Sequence, residues 1–168
     1  IQTIAEQAGV SSGLVYRYFD NKSQVLIEVL SDAINTELLV IESITESDLS
    51  AKQKLHKAVA TFVKRALNSP QLAYSLMFEP VDSTVEHERF RVKQLIKQSI
   101  KKILADGNAS GEFVLDDLNT AALCVVGAMT YVVVERLDPA QNTKFDHAHK
   151  DYFSKQIADF CVDAVQKK

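Results

Sequence analysis

The sequence predicts an all-α protein with a small helix-turn-helix head on a helical bundle. Three observations carry this. Only 5 Gly and 3 Pro punctuate 168 residues. Long stretches repeat their apolar residues at the helical period. Near the start, a glycine-centred turn separates two short periodic segments. The length allows one buried core with a small appendage. The composition, 46% hydrophobic and 24% charged without tryptophan, is ordinary for a soluble chain. The net charge of -3 argues against a sequence-independent coat on nucleic acid. It leaves room for a binder that uses a few local cations and helix N-termini.

In order along the chain, residues 1–8 form the first helix, with Ile4, Ala5 and Ala8 as its apolar stripe. Ala5 and Ala8 are small, so a second helix approaches closely. Gly9 stands where the first helix stops, since glycine tolerates the left-handed conformation. Val10 plugs the turn. Ser11 caps the second helix, residues 11–18, by accepting from a free backbone N–H. Val15 and Phe19, four apart, turn inward. Ser12, Gly13, Leu14, Tyr16, Arg17 and Tyr18 stay outside, a set that suits a nucleic-acid face. This is the layout of a helix-turn-helix whose second helix enters the major groove.

Asn21 caps a long helix, with Gln24 three residues on as in a capping box. Lys22 at its first position sets a cation beside free N–H groups, which suits a phosphate. Val25, Leu26, Val29, Leu30 and Ala33 carry the period to about Glu46, and the polar run Ser43 to Ser50 breaks it. Helix 51–68 follows, then a short helix 70–78 opened by Pro70. Pro80 to Ser83 is a turn. Helix 84–105 is cationic on one side (Arg89, Arg91, Lys93, Lys97, Lys101, Lys102), read as a solvated face. Its apolar set includes Phe90, Leu95, Ile96, Ile100, Ile103 and Leu104. Residues 106–111 form a loop. Helix 116–137 is apolar nearly all round and so is buried on more than one side. Residues 139–146 form a loop, and helix 147–166 closes the chain.

The run Ile-Ala-x-x-Ala-Gly-Val-Ser-x-Gly-x-Val-Tyr-x-Tyr-Phe-x-Asn-Lys, residues 4–22, resembles the DNA-binding domain of the TetR family of bacterial transcriptional regulators. The resemblance covers residues 1 to about 30. It implies a DNA-binding domain over 1–30 and a helical ligand-binding and dimerisation domain over 31–168. By position, Ser12 and Gly13 approach base edges. Arg17 meets guanine or a phosphate, and Tyr16, Tyr18 and Lys22 meet phosphates. Gln2 occupies a position that sometimes reaches DNA. Leu14 packs on a thymine methyl group or is a solvent-facing leucine of no consequence. The family has a further helix before Ile1, so the chain is expected to be part of a longer protein and to bind operator poorly alone.

The resemblance also implies a small-molecule pocket among the middle helices. The candidates are Phe62, Leu67, Tyr74, Met77, Phe78, Phe90, Leu123, Gly127 and Tyr131. That set favours an apolar or aromatic effector over a highly charged one. A homodimer is implied, through the last two helices, with Ala121, Ala128, Phe153, Ile157 and Phe160 as interface candidates. Ala121, Gly127 and Ala128 permit close helix crossing. A two-fold dimer presents two recognition helices to a near-palindromic operator in double-stranded DNA. The function implied is a repressor released from its operator by an effector. The alternative is an activator or architectural protein without one.

Other chemistry finds little support. Cys124 and Cys161 lie far apart in apolar patterns and read as reduced core thiols. Asp146, His147, His149 and Asp151 cluster at a helix start, yet their spacing matches no common ligand pattern, so they read as loop and cap residues. No metal, cofactor or catalytic set is expected. The most apolar stretch, Ala121 to Val134, is too short to span a bilayer. A cytoplasmic protein is the expectation.

Overall fold

The computed structural model describes residues 1–131 and 147–166. Eight helices lie among them: α1 (Gln2–Ala8), α2 (Ser12–Tyr18), α3 (Lys22–Thr45), α4 (Ala51–Asn68), α5 (Pro70–Met77), α6 (Ser83–Ser110), α7 (Leu118–Tyr131) and α8 (His147–Val165). The all-α class is the observed one. The expected end of the α7 helix at 137 and the loop 139–146 lie outside the described residues.

Local signals start and stop these helices. Gly9 takes φ 68° and closes α1. The Ser11 hydroxyl accepts from Leu14 N at 3.2 Å and opens α2. Asn21 Oδ1 accepts from Gln24 N at 3.0 Å. The return arm of that expected capping box goes elsewhere. Gln24 Oε1 accepts from Asp20 N at 2.7 Å, because the Asp20 carboxylate holds the other end of the same amide at 3.0 Å. A complete capping box opens α4, between Ser50 and Gln53.

In the α1–α2 hairpin only Ala5 and Val15 are buried. Ile4 and Val10, expected inside, are 41% and 39% exposed, and Ala8 is exposed too. Two seven-residue helices touch along one line, so only side chains on that line are covered. Phe19 is half-buried.

In the body, α4 is the central helix. Leu55, Val59, Phe62, Val63 and Leu67 are buried on it, and it packs against α3, α5, α6, α7 and α8. α3 lies along α6.

α6 continues past 105 to Gly111, whose φ of 78° ends it, so 106–110 is helix and not loop. Gly107 explains the misreading: it is an internal helical residue, buried beneath Phe113. A β-carbon there would overlap the Phe113 ring and lie 2.9 Å from Ala51 Cβ. Phe113 is 1% exposed and forms an isolated antiparallel bridge with Gln166.

Cys161 is buried, and burial pushes its thiol up to about 11. Cys124, expected in the core, is exposed, because it lies on the outer side of α7 with Leu123 and Gly127. Among the described residues no helix is long and apolar enough to cross a membrane.

Candidate nucleic-acid interface and ligand cavity

The α1–α2 hairpin turns one side of α2 outward. Tyr16 is 55% and Tyr18 73% exposed, and Leu14 is 40% exposed. Gly13, Arg17 and Lys22 are exposed, and Ser12 is half-buried. All seven residues proposed to meet DNA thus reach solvent along the length of α2 and at the start of α3. Gln2 is also exposed and donates to Glu6 at 3.2 Å. Val15 on the opposite side of α2 is buried, which orients the recognition helix. Leu14 stands open, as both readings of it require.

The head joins the body through α3 without a break at residue 30. Near the start of α3, the Ser23 hydroxyl donates to Asp82 Oδ2. Asp82 is also the cap of α6, accepting from Thr84 N at 2.9 Å and Val85 N at 3.1 Å. The Ser23 hydroxyl, followed by the Val85 N–H, holds the Asp82 carboxyl below its ordinary value. Eight residues further along α3, Ser31 donates to Glu88 of α6 at 3.4 Å. The first turns of α6 therefore grip the helix that carries the head.

A cavity of about 630 Å³ lies between α3, α4, α5, α6 and the end of α7. Phe62, Met77, Phe78 and Tyr131, from the expected pocket, line it. Leu30, Ile34, Leu76, Val92 and Ile96 extend the apolar wall. The other candidates lie elsewhere. Leu67 is 4% exposed in the core, and Tyr74 packs on Phe78 with ring centroids 6.2 Å apart. Phe90 and Leu123 are 62% and 58% exposed, and Gly127 is on the same outer side of α7 as Leu123.

Phe90 fails for a geometric reason. The buried stripe of α6 runs Val85, Arg89, Val92, Ile96, Ile100, Ile103. Phe90 is one residue out of phase, and one residue is about 100° of helix turn. Arg89 takes the inward position, at 4% exposure, and so does not belong to the solvated cationic face assigned to it. Its phase with the apolar residues was the signal in the sequence. A second, more open depression of about 530 Å³ lies between α4 and α8. It is edged by His56 Nε2 and Asp159 Oδ1, 3.1 Å apart, and is the more polar of the two.

Of the interface candidates, Phe160 faces outward at 67% exposure. Ala121, Ala128 and Phe153 are half-buried, and Ile157 is buried against the body. α7 packs on α8. Outward from them also stand Leu123, Tyr131 and Tyr152. Among the described residues no group of three or more His, Cys, Asp or Glu is placed to hold a metal. Asp146 lies outside them, and Asp151 pairs with Lys64 at 2.6 Å.

Comparison with known proteins agrees with this geometry. Residues 1–29 match the bacterial regulatory proteins of the tetR family. The chain is similar to the fatty acid metabolism regulator protein of Bacillus subtilis, 28% identical over 115 residues. That match covers 67% of this chain and 59% of the relative. It is also similar to the HTH-type transcriptional repressor KstR2 of Rhodococcus jostii, 24% identical over 158 residues, covering 92% of this chain and 77% of the relative. The fold matches FadR of Bacillus subtilis in complex with stearoyl-CoA, with a TM-score of 0.83 at 20% identity. That alignment covers 97% of this chain and 87% of FadR. The head is thus similar in sequence to the DNA-binding domain of the TetR family of bacterial transcriptional regulators, and the body shares its fold with solved regulators of that kind.

Proposed function

We propose that the chain is a dimeric repressor that leaves its operator when an apolar effector, with a long acyl chain as the best fit, fills the α3–α6 cavity. One observation carries the reading: the cavity is walled by α3, the same helix that bears the head. A volume of 630 Å³ with an apolar wall is in the range of ligand sites. The stearoyl-CoA held by the FadR relative supports an acyl effector.

The working units are the head, 1–30, and the body, 31–168, divided inside α3. Ser12, Gly13, Leu14 and Arg17 address base edges, with Arg17 also within reach of the backbone. Tyr16, Tyr18 and Lys22 address phosphates. Two copies pair through α7 and α8, where Leu123, Tyr131, Tyr152 and Phe160 give an apolar outer side. The protein acts in the cytoplasm, where its DNA is, and binds its effector without transforming it. The curated relatives are regulators, which supports that reading.

The mechanism is a linkage. An effector between α3 and α6 favours one setting of α3, and the spacing of the two heads then no longer matches successive major grooves. Effector and DNA must weaken each other by the same factor. The test is selection from a random DNA pool, with and without an acyl ligand. A two-half-site palindrome that is lost on adding ligand supports the proposal. A palindrome whose affinity ignores every tightly bound ligand overturns the repressor-release account.

A further inference from the structure

Arg89 is a buried cation with one donor nitrogen unserved among the described residues. Nη1 donates to Glu79 O at 2.8 Å and to Glu86 Oε1 at 2.7 Å, and Nη2 donates to Ser75 O at 2.7 Å. Nε is buried and has no hydrogen-bond partner among the described residues. Guanidinium is all donor and stays charged, so an unserved buried N–H carries a desolvation cost until an acceptor arrives. Arg89 also lines the 630 Å³ cavity. The other arginine on that wall, Arg65, is already bound to Glu37 at 2.6 Å. Lys93, one turn beyond Arg89 on the same wall, is exposed.

We propose that the Arg89 Nε–H anchors a carboxylate head group of the effector, whose apolar body lies against Phe62, Met77 and Ile96. The inference rests on reading this cavity as the effector site. Asp32 and Glu37 of α3, which line the cavity, and Glu86, which shares Arg89, balance the charges of Arg65, Arg89 and Lys93, so the wall offers no surplus of positive charge to a polyanion. The position also couples to the head. Arg89 ties α5 to α6 through Ser75 O and Glu79 O, and it stands two turns from Asp82, which holds Ser23 of α3.

The test is calorimetric titration of the full chain with dodecanoate, dodecanol and a dodecanoyl thioester. Dodecanoate is expected to bind roughly tenfold or more tighter than dodecanol, the scale of one charge-assisted hydrogen bond. Arg89→Met is expected to erase that preference and keep dodecanol binding. Since Arg89 also ties α5 to α6, a second variant guards against misfolding. Glu86→Gln, at a side chain 55% exposed, frees Arg89 from its competing carboxylate. It is expected to tighten dodecanoate several-fold and leave dodecanol unchanged. Equal binding of acid and alcohol overturns the anchor, with water serving Nε, and leaves the effector site standing. An acid preference that survives in a folded Arg89→Met overturns it too. Tighter binding of the thioester than of the free acid overturns the carboxylate assignment. Failure of all three ligands to bind overturns the acyl-effector reading together with the anchor.

Discussion

At Gly107 a single methyl group reaches a fully packed wall. Alanine is the better helix former by about 1 kcal/mol, yet here its β-carbon overlaps the Phe113 ring and crowds Ala51. Phe113 is held from behind by its bridge to Gln166 and by the Val114 N to Val165 O bond of 3.3 Å. Overpacking of this kind costs about 1–3 kcal/mol. Gly107→Ala is therefore expected to lower the urea midpoint without changing DNA contacts, and a stabilised variant would contradict the packing. The cysteines give a second residue-scale prediction. Thiol reagents are expected to modify Cys124 in the native protein and to reach Cys161 only on unfolding, because burial keeps Cys161 protonated. Neither outcome was legible in the sequence. Glycine near Asp106 and Asn108 reads as a loop, and both cysteines sit in apolar runs. What separates them is which side of a helix meets a neighbour.

At the scale of elements, the start of α4 shows how a helix end is served from outside its own segment. Ser50 and Gln53 exchange bonds of 3.3 and 3.1 Å. Glu112, beyond the end of α6, accepts from Ala51 N and Lys52 N, each at 3.1 Å. Those contacts, led by the Lys52 N–H, hold the Glu112 carboxyl below its ordinary value. Asp82 and Asp117 are lowered as well, first by the hydroxyls of Ser23 and Thr120. Lowered carboxyls bind protons more weakly folded than unfolded. Their stabilisation is complete above the ordinary carboxylate range, near pH 4–5, and is lost as the pH falls through the lowered values. Thermal melts are expected to be flat from neutral pH to about 5 and to drop below about 4. Glu112→Ala is expected to cost about 0.5–2 kcal/mol at neutral pH, as for loss of a helix cap, and to flatten part of that acid slope. An unchanged slope would remove Glu112 from this role. The Ser50 box was readable, being a serine three residues before a glutamine. Glu112 was not, because it is distant in sequence and close only in space.

For the whole molecule, the question is how the cavity speaks to the head. Ser23 on α3 bonds Asp82 on α6, and the cavity lies between those same helices. Ser23→Ala is expected to leave effector affinity within about twofold and to reduce the reciprocal coupling between effector and operator by several-fold. Paired titrations, with and without operator, measure this. Coupling unchanged in the variant would move transmission to another contact. Salt dependence gives an independent check on the DNA face. Arg17 and Lys22 are the basic residues of positions 1–30. A dimer thus brings four side-chain cations, and log K against log salt is expected to slope by about −4 or less steeply. A much steeper slope would mean that cations beyond these four join the contact.

The sequence by itself determined the head and the order of the helices. Ala5, Gly9, Ser11, Val15 and Asn21 act within a few residues of where they stand, so cap, turn and recognition helix follow from spacing. The bounds of α4 followed from the polar run that ends at Ser50 and from Pro70 after it. Only the tertiary structure decided which residues enclose the cavity. A helix stripe is set by what it packs against, and a one-residue change of phase turns a side chain through about 100°. That put Phe90 and Leu123 outside, Tyr131 on the cavity wall and Arg89 within, where its Nε has no partner among the described residues.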